Sequence, residues 1–152
     1  MKKHLWGLIL AVLLCVPVVL LGVGLMRTAV PRVTIDGQRL DPSLRSYTVT
    51  YRDGHSVVSG DDIENRAREF YVGHEHPIDL LLGGHEIDFG RRAPDPSDVL
   101  IACFDEAGDT LWAGPRAECP AAYTSDNVAS AILFVRWRTT ARTSVVAVYY
   151  FD

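Results

Sequence analysis

Residues 130–152, SAILFVRWRTTARTSVVAVYYFD, contain two apolar runs of strand length with a short polar stretch between them. Both runs are rich in β-branched and aromatic residues, which favour strands. Residues 139–142 therefore predict a turn, and the two runs predict a hairpin. Side chains alternate between the faces of a strand, so Arg136 and Arg138 share one face and Trp137 takes the other. We expect a core tryptophan beneath a solvated outer face.

Three consecutive aromatic residues, Tyr149, Tyr150 and Phe151, immediately precede the last residue, Asp152. By the same alternation, Tyr149 and Phe151 lie on one side of the last strand and Tyr150 on the other. A final strand of this kind is typical of one that is locked into a sheet. We expect core packing here instead of a surface displayed to a partner.

Further hairpins are predicted upstream. Asp36-Gly37 and Asp53-Gly54 each stand between alternating apolar residues, and both central residues of a type I′ turn need a positive φ. Gly83-Gly84 separates IDLLL from HEIDF, and residues 106–109 separate VLIACFD from TLWAG. The spacing predicts an all-β fold, an antiparallel sandwich or barrel-like structure with about eight strands.

One short helix is expected among these strands. Asp61 precedes Glu64 by three residues, as in a capping box, and Ile63, Ala67 and Phe70 recur at helical spacing before Gly73. An α/β fold would need several such patterns between strands.

The first part of the chain predicts a membrane anchor. Leu5 to Met26 contains no charged side chain, and as a helix it spans roughly 33 Å, which matches a hydrocarbon core of about 30 Å. A cleaved secretory signal is the alternative, with Lys2 and Lys3 as its basic start and Gly22 and Gly24 as the small residues before the cut. That alternative leaves a freely secreted protein.

The predicted organisation is a cytoplasmic tail (1–4), a transmembrane helix (5–26), a linker (27–32) and an extracytoplasmic β-rich domain (33–152). Basic residues at both ends of the span give opposing orientation signals. The tail is only four residues long whereas the whole folded mass follows the span, which favours export of that mass. The predicted location is therefore the cell membrane, with a single pass.

Charge excludes one class of partner. Without Lys2 and Lys3, 13 arginines face 19 acidic residues, so the formal charge falls from −4 to −6. An acidic domain is a poor partner for nucleic-acid phosphates, so no nucleic-acid binding is expected.

Two cysteines lie beyond the anchor, Cys103 in a predicted strand and Cys119 in a proline-flanked loop. An even number of cysteines in an exported domain predicts a disulfide. Closing this loop of about 15 residues would contribute roughly 3 kcal/mol. Two unpaired thiols are the alternative.

The segment GHEHPIDLLLGGHEIDF, residues 73–89, concentrates histidines and carboxylates. His74 and His76 share a face of an extended chain and could supply two ligands to zinc or copper, with Glu75 or a distant acid as a third. If Gly83-Gly84 is a turn, His85 lies roughly 20 Å from His76 and cannot join them. The same register would place Asp79 opposite Asp88, an unfavourable pairing.

No nucleophile elbow, phosphate-binding glycine loop, HExxH or paired CxxC motif occurs, so no catalytic residue is assigned. The sequence favours a non-enzymatic, membrane-tethered domain that contacts another envelope or secreted protein and needs no cofactor. A small zinc or copper protein using His74 and His76 is the alternative.

Overall fold

The structure, a computed structural model, describes residues 29–63, 75–90 and 93–152. Within these ranges one short helix, α1, spans Ile78–Leu82, and a 3-10 turn spans Arg116–Glu118. The strands of these ranges are β1 (Val33–Ile35), β2 (Gln38–Leu40), β3 (Leu44–Thr50), β4 (Ser56–Gly60), β5 (Glu75–His76), β6 (Ile87–Asp88), β7 (Pro96–Phe104), β8 (Thr110–Pro115), β9 (Ser130–Thr140) and β10 (Thr143–Phe151).

Two sheets contain these strands. A small sheet has the order β2-β1-β6, and a large sheet has the order β4-β3-β10-β9-β7-β8. Neighbours along both orders are antiparallel, while β5 adds a short parallel pairing to the end of β10, beyond the start of β3. The predicted all-β, antiparallel, sandwich-like class is confirmed.

The hairpin of β9 and β10 is the centre of the large sheet. Its strands pair from Thr140 with Thr143 to Ala131 with Phe151. Trp137, Tyr149, Tyr150 and Phe151 are fully buried, as predicted. Burial of apolar surface stabilises a fold by about 25 cal/mol per Å² removed from water. Because both strands bury many apolar side chains, this hairpin supplies much of the hydrophobic stabilisation.

The main core lies between the large sheet and the small one. Trp137 and Tyr149 pack there with Val33, Ile35 and Leu40 from the small sheet. Tyr150 lies on the opposite face of the large sheet, in a second cluster with Leu44, Ile132 and Val148. The division of the three terminal aromatic residues between the two faces is therefore confirmed.

The predicted hairpins differ in the accuracy of their turns. Asp36 and Gly37 both have positive φ, 50° and 76°, so the first turn is the expected type I′. In the second hairpin only Gly54 is left-handed, and the Tyr51 N–H donates to the His55 carbonyl at 2.8 Å. That connection is a type I turn followed by a glycine bulge, so the hairpin is confirmed and its type I′ turn is wrong.

The hairpin predicted around Gly83-Gly84 is also wrong. Ile78–Leu82 forms α1 instead of a strand, closed by a 2.8 Å hydrogen bond from the Gly83 N–H to the Asp79 carbonyl. Only Ile87–Asp88 of the following segment forms a strand, and it pairs with β1. The predicted spacing of His85 from His76 and the opposition of Asp79 to Asp88 were derived from that hairpin, so both are withdrawn.

A five-residue apolar run does not distinguish a buried helix from a strand by periodicity. Leucine favours the helix, and one helical turn brings Ile78, Leu81 and Leu82 onto one side, where all three pack on the main core. The start of α1 is held by a hydrogen bond in which the Ile78 N–H donates to the Asp152 carbonyl at 3.1 Å. Tertiary contacts with the chain terminus thus override the local turn signal.

Several predictions fall outside the described residues: the tail at 1–4, the anchor at 5–26, the first two linker residues and the helix beyond Ile63. Across the ranges that the structure does describe, no helix has the length and hydrophobicity needed to cross a bilayer.

Candidate functional site

The outer face of the large sheet carries polar side chains at its centre, where β3, β10 and β9 lie side by side. One cross-strand row contains Ser46, Val146 and Arg136, and the next contains Thr48, Ser144 and Arg138. This placement follows from alternation, because the opposite positions on the same strands fill the main core. The two arginines are exposed, as the sequence predicts, while Trp137 between them is buried.

A third arginine joins this face through the turn between β9 and β10. The Arg142 carbonyl accepts a 2.7 Å hydrogen bond from the Thr50 N–H, which ties the turn to β3. Thr143 contributes to the same turn, because its hydroxyl bonds those of Thr139 at 2.8 Å and Thr140 at 2.6 Å. The turn that carries Arg142 is therefore held in place by side-chain and backbone hydrogen bonds together.

These residues line an open depression of about 520 Å³. We call it the arginine groove. Its lining residues are Thr48, Thr50, Arg136, Arg138, Thr140, Ala141, Arg142, Thr143, Ser144 and Val146. No carboxylate is among them, although acidic residues outnumber basic ones in the chain.

The three arginines differ in their partners. Arg136 lies beside Asp98 of β7, with 3.5 Å between Nη1 and Oδ2, and its guanidinium also sits 5.4 Å from the centre of the Phe134 ring. Both partners of the ion pair are about half exposed, so its contribution to stability is small. β7 begins at Pro96, opposite Trp137, and thus places no residue in register with Arg138.

Arg138 and Arg142 form no ion pair within the described ranges. The hydroxyls of Thr48 and Ser144 likewise make no hydrogen bond there, whereas Thr50 bonds Ser56 at 2.9 Å. Two free guanidinium groups beside two free hydroxyls can donate several hydrogen bonds to an oxyanion. Arginine presents these donors in a planar fork that matches a carboxylate or a phosphate.

A second depression, of about 470 Å³, continues from the arginine groove along the same face. The two share Thr48, Arg136 and Val146. Its far end is formed by Asp61 and Asp62, so the face changes from basic to acidic along its length.

The predicted metal ligands are only partly visible. His74 lies outside the described residues, and His76 is half-buried on β5. Its Nε2 lies 3.0 Å from the Asp41 carbonyl, and its ring lies 5.6 Å from the Phe151 ring, so a packed environment already engages one ring nitrogen. Among the residues described, no three His, Cys, Asp or Glu side chains form a group that could hold a metal ion.

His85 has separate surroundings. Its Nδ1 is 4.0 Å from an Asp36 carboxylate oxygen across the first turn, and its carbonyl accepts a 2.8 Å hydrogen bond from Arg116. These contacts link the segment after α1 to the first hairpin and to the 3-10 turn. They give His85 a structural setting that does not involve His76.

Cys103 and Cys119 are free thiols in the structure, in place of the predicted disulfide. Cys119 nonetheless packs against the core cluster that contains Cys103. Burial, together with the charge and hydrogen bond of Cys119, raises the pKa of Cys103 to about 12. The buried thiol is therefore protonated near neutral pH, which makes it a weaker nucleophile than a thiolate.

No protein-family model matches the chain, and neither a curated protein nor a solved structure matches it significantly. The fold and the groove together define the class: an all-β domain whose large sheet is covered by the small sheet on one face and carries an arginine-lined groove on the other.

Sequence reasoning identified only part of the groove. It placed Arg136 and Arg138 on one face, but it did not join them to the hydroxyl residues of the neighbouring strands. Arg142 and Ser144 were missed as site residues. The available signal was the shared alternation of hydroxyl and arginine positions on three strands, which becomes a site only when the strand order is known.

Proposed function

We propose that this chain is a membrane-tethered, extracytoplasmic binding domain that contacts another envelope or secreted protein through the arginine groove. In this arrangement the apolar segment from Leu5 to Met26 spans the membrane, and residues 27–32 join it to the folded domain. The first strand, β1, begins at Val33, directly after that linker, so the short linker keeps the domain near the membrane surface.

One observation carries the proposal. The large sheet buries one face under the small sheet, while on its other face Arg138 and Arg142 have no carboxylate partner among the described residues. In an acidic chain, partners for two exposed guanidinium groups are plentiful, and this face has none in the lining of the groove. Unpaired surface charges of one sign are typical of a site that binds a partner of complementary charge.

Binding fits the groove better than catalysis does. Its lining supplies arginine, threonine and serine side chains but no histidine or carboxylate to act as a general base. We therefore assign the groove a recognition role and no reaction.

Site-specific photo-crosslinking in the native membrane tests this role. A benzophenone amino acid at Thr48, which both depressions share, should capture a discrete partner. The same probe at Gln38, exposed on the small sheet, is the control and should capture none. Capture at Thr48 should disappear when Arg138→Gln and Arg142→Gln are combined. Equal capture at both positions, or capture that persists in the double variant, would refute binding through the groove.

The topology has its own test. A phosphatase reporter that is active only after export, fused after Asp152, should be active, and the mature chain should retain Met1 or Lys2. Activity of a cytosolic reporter at this position would refute the exported orientation. A mature terminus near Leu25 would support the secreted alternative instead.

The disulfide is part of the same proposal. In an oxidising compartment, the more exposed Cys119 attacks a disulfide-bearing oxidant, and Cys103 then loses its proton and displaces the oxidant as a thiol. The two cysteines lose two protons and two electrons, and the oxidant is reduced to a dithiol. Intact mass of the native protein should rise by about 2 Da on reduction. Alkylation of both cysteines without reductant and under denaturing conditions would refute the bond.

A further inference from the structure

The spacing of the arginines indicates what kind of partner the groove accepts. Arg136 and Arg138 are two residues apart on one strand, so their Cα atoms are separated by about 6.6 to 6.8 Å. Side chains on one face of any extended polypeptide repeat at the same interval. Carboxylates at alternate positions of an extended segment therefore have the same spacing as these two arginines, so each carboxylate can pair with one arginine.

The breadth of the site fits one such segment. Neighbouring strands lie about 4.8 Å apart, so the row of Thr48, Ser144 and Arg138 covers roughly 10 Å across the sheet. That is the width of one extended chain with its side chains. Ser144 is paired directly with Arg138, so its free hydroxyl can donate to a carboxylate that Arg138 binds, while the free hydroxyl of Thr48 lies one strand further across the row.

We propose that the arginine groove binds an extended acidic segment of a partner protein, in which Asp or Glu occurs at alternate positions. This inference rests on the proposed function and adds the chemistry of the partner. Arg138 and Arg142 provide the recognition, because neither is neutralised by a described residue. Arg136 supplies the second contact of the alternating pair with Arg138, but a weaker one, since Asp98 already lies 3.5 Å away.

The net charge of the domain does not oppose this binding at short range. The formal charge is −6 without Lys2 and Lys3, but salt at physiological strength screens charges beyond about 8 Å. An acidic side chain inside the groove is therefore governed by the arginines that it touches. Added salt should still weaken binding, because the contacts are charged and open to solvent.

The test uses the full chain in neutral detergent micelles and a capped peptide of four Glu-Val repeats as the probe. A peptide of four Gln-Val repeats removes the charge, and a peptide of four Glu followed by four Val keeps the charge but removes the alternation. Binding is followed by isothermal titration at two salt concentrations. We expect the alternating acidic peptide to bind most tightly and the uncharged peptide not to bind.

Matched variants locate the site. Arg138→Gln combined with Arg142→Gln should weaken binding of the alternating peptide by about tenfold or more, a loss expected when two charged contacts are removed. Arg39→Gln combined with Arg45→Gln removes the same charge from exposed positions outside the groove and should change binding by less than about twofold. Equal losses in both double variants would show a nonspecific charge effect and overturn the proposal.

Two other results would also overturn it. The alternating peptide could bind no better than the block peptide, or a single-stranded oligonucleotide could bind more tightly and be lost in the same groove variant. If partner capture at Thr48 still depends on Arg138 and Arg142 while no acidic peptide binds, the proposed function stands and the acidic segment is wrong. If that capture fails as well, both fail.

Discussion

Replacing Tyr149 with phenylalanine removes one buried hydroxyl group and leaves the apolar ring in place. The side chain is fully buried in the main core, and its hydroxyl has no hydrogen-bond partner among the described residues. Burial, with a smaller effect from the negative charge of Asp41, raises the pKa of Tyr149 well above its ordinary value, while Arg39 acts in the opposite direction. The hydroxyl has thus lost its hydration without gaining a partner.

An unpartnered buried hydroxyl costs about 1 to 3 kcal/mol relative to one that stays solvated. The small space left by the oxygen offsets part of the gain on its removal. We therefore expect Tyr149→Phe to raise the free energy of unfolding by about 1 kcal/mol. For a domain of about 120 residues this corresponds to a rise in Tm of roughly 3 to 6 °C.

Tyr123→Phe is the matched control, because the same atom is deleted from a hydroxyl that is in use. The Tyr123 hydroxyl donates to the Leu111 carbonyl at 3.1 Å. Its loss should lower the free energy of unfolding by about 0.5 to 1.5 kcal/mol. Urea unfolding of the full chain in detergent micelles, followed by near-ultraviolet circular dichroism, measures both changes. If Tyr149→Phe destabilises the protein as much as Tyr123→Phe does, the buried hydroxyl has a partner and the reasoning fails.

Two further predictions concern backbone and thiol. Gly60 has φ of 108°, and a Cβ there would lie 2.6 Å from the Arg45 carbonyl oxygen, so Gly60→Ala should cost about 2 to 4 kcal/mol in urea unfolding. Gly54→Ala, at φ 85° with open space around it, should cost only about 1 kcal/mol, and equal costs would refute the clash. In the reduced protein, folding raises the pKa of Cys103 from 9.0 to about 12. The contribution of this thiol to the free energy of unfolding is therefore complete below pH 9 and is lost as the pH rises toward 12. At pH 10 the loss should be about 1.4 kcal/mol, and Cys103→Ala should abolish it; an unchanged pH slope in that variant would contradict the assignment.

The strands that could be predicted are those whose local pattern agrees with their tertiary setting. In β9 and β10 the alternation, the residue types and the polar turn all indicate one hairpin, and the structure has it. The turn at Asp36-Gly37 was predictable for the same reason, because its two residues can adopt the required positive φ values. At Asp53-Gly54 the pair is the same, but the glycine closes a longer loop, so the dipeptide indicates a reversal without fixing its length.

Helix α1 shows where local pattern is insufficient. Ile78–Leu82 is too short for its periodicity to distinguish one helical turn from a buried strand. The deciding contacts come from the far end of the chain, where the Asp152 carbonyl accepts from the Ile78 N–H and the Asp152 N–H donates to the His76 carbonyl. The error in this one element then moved His85, and with it the geometry of the histidine segment.

The arginine groove has the same dependence on distant pairing. Alternation alone places Arg136 and Arg138 on the outer face, but their neighbour Thr48 belongs to a strand about ninety residues earlier and reaches them across β10. Among the described residues Arg138 has no ion-pair partner, and this depends on where β7 begins, because one further paired residue of β7 would lie opposite Arg138. Pro96 is the first residue of β7, a position where a strand tolerates proline because the missing N–H interrupts no ladder bond. Because β7 starts at Pro96, it places no residue opposite Arg138. The unpaired charge of the groove therefore depends on the length of β7 as well as on the arginine.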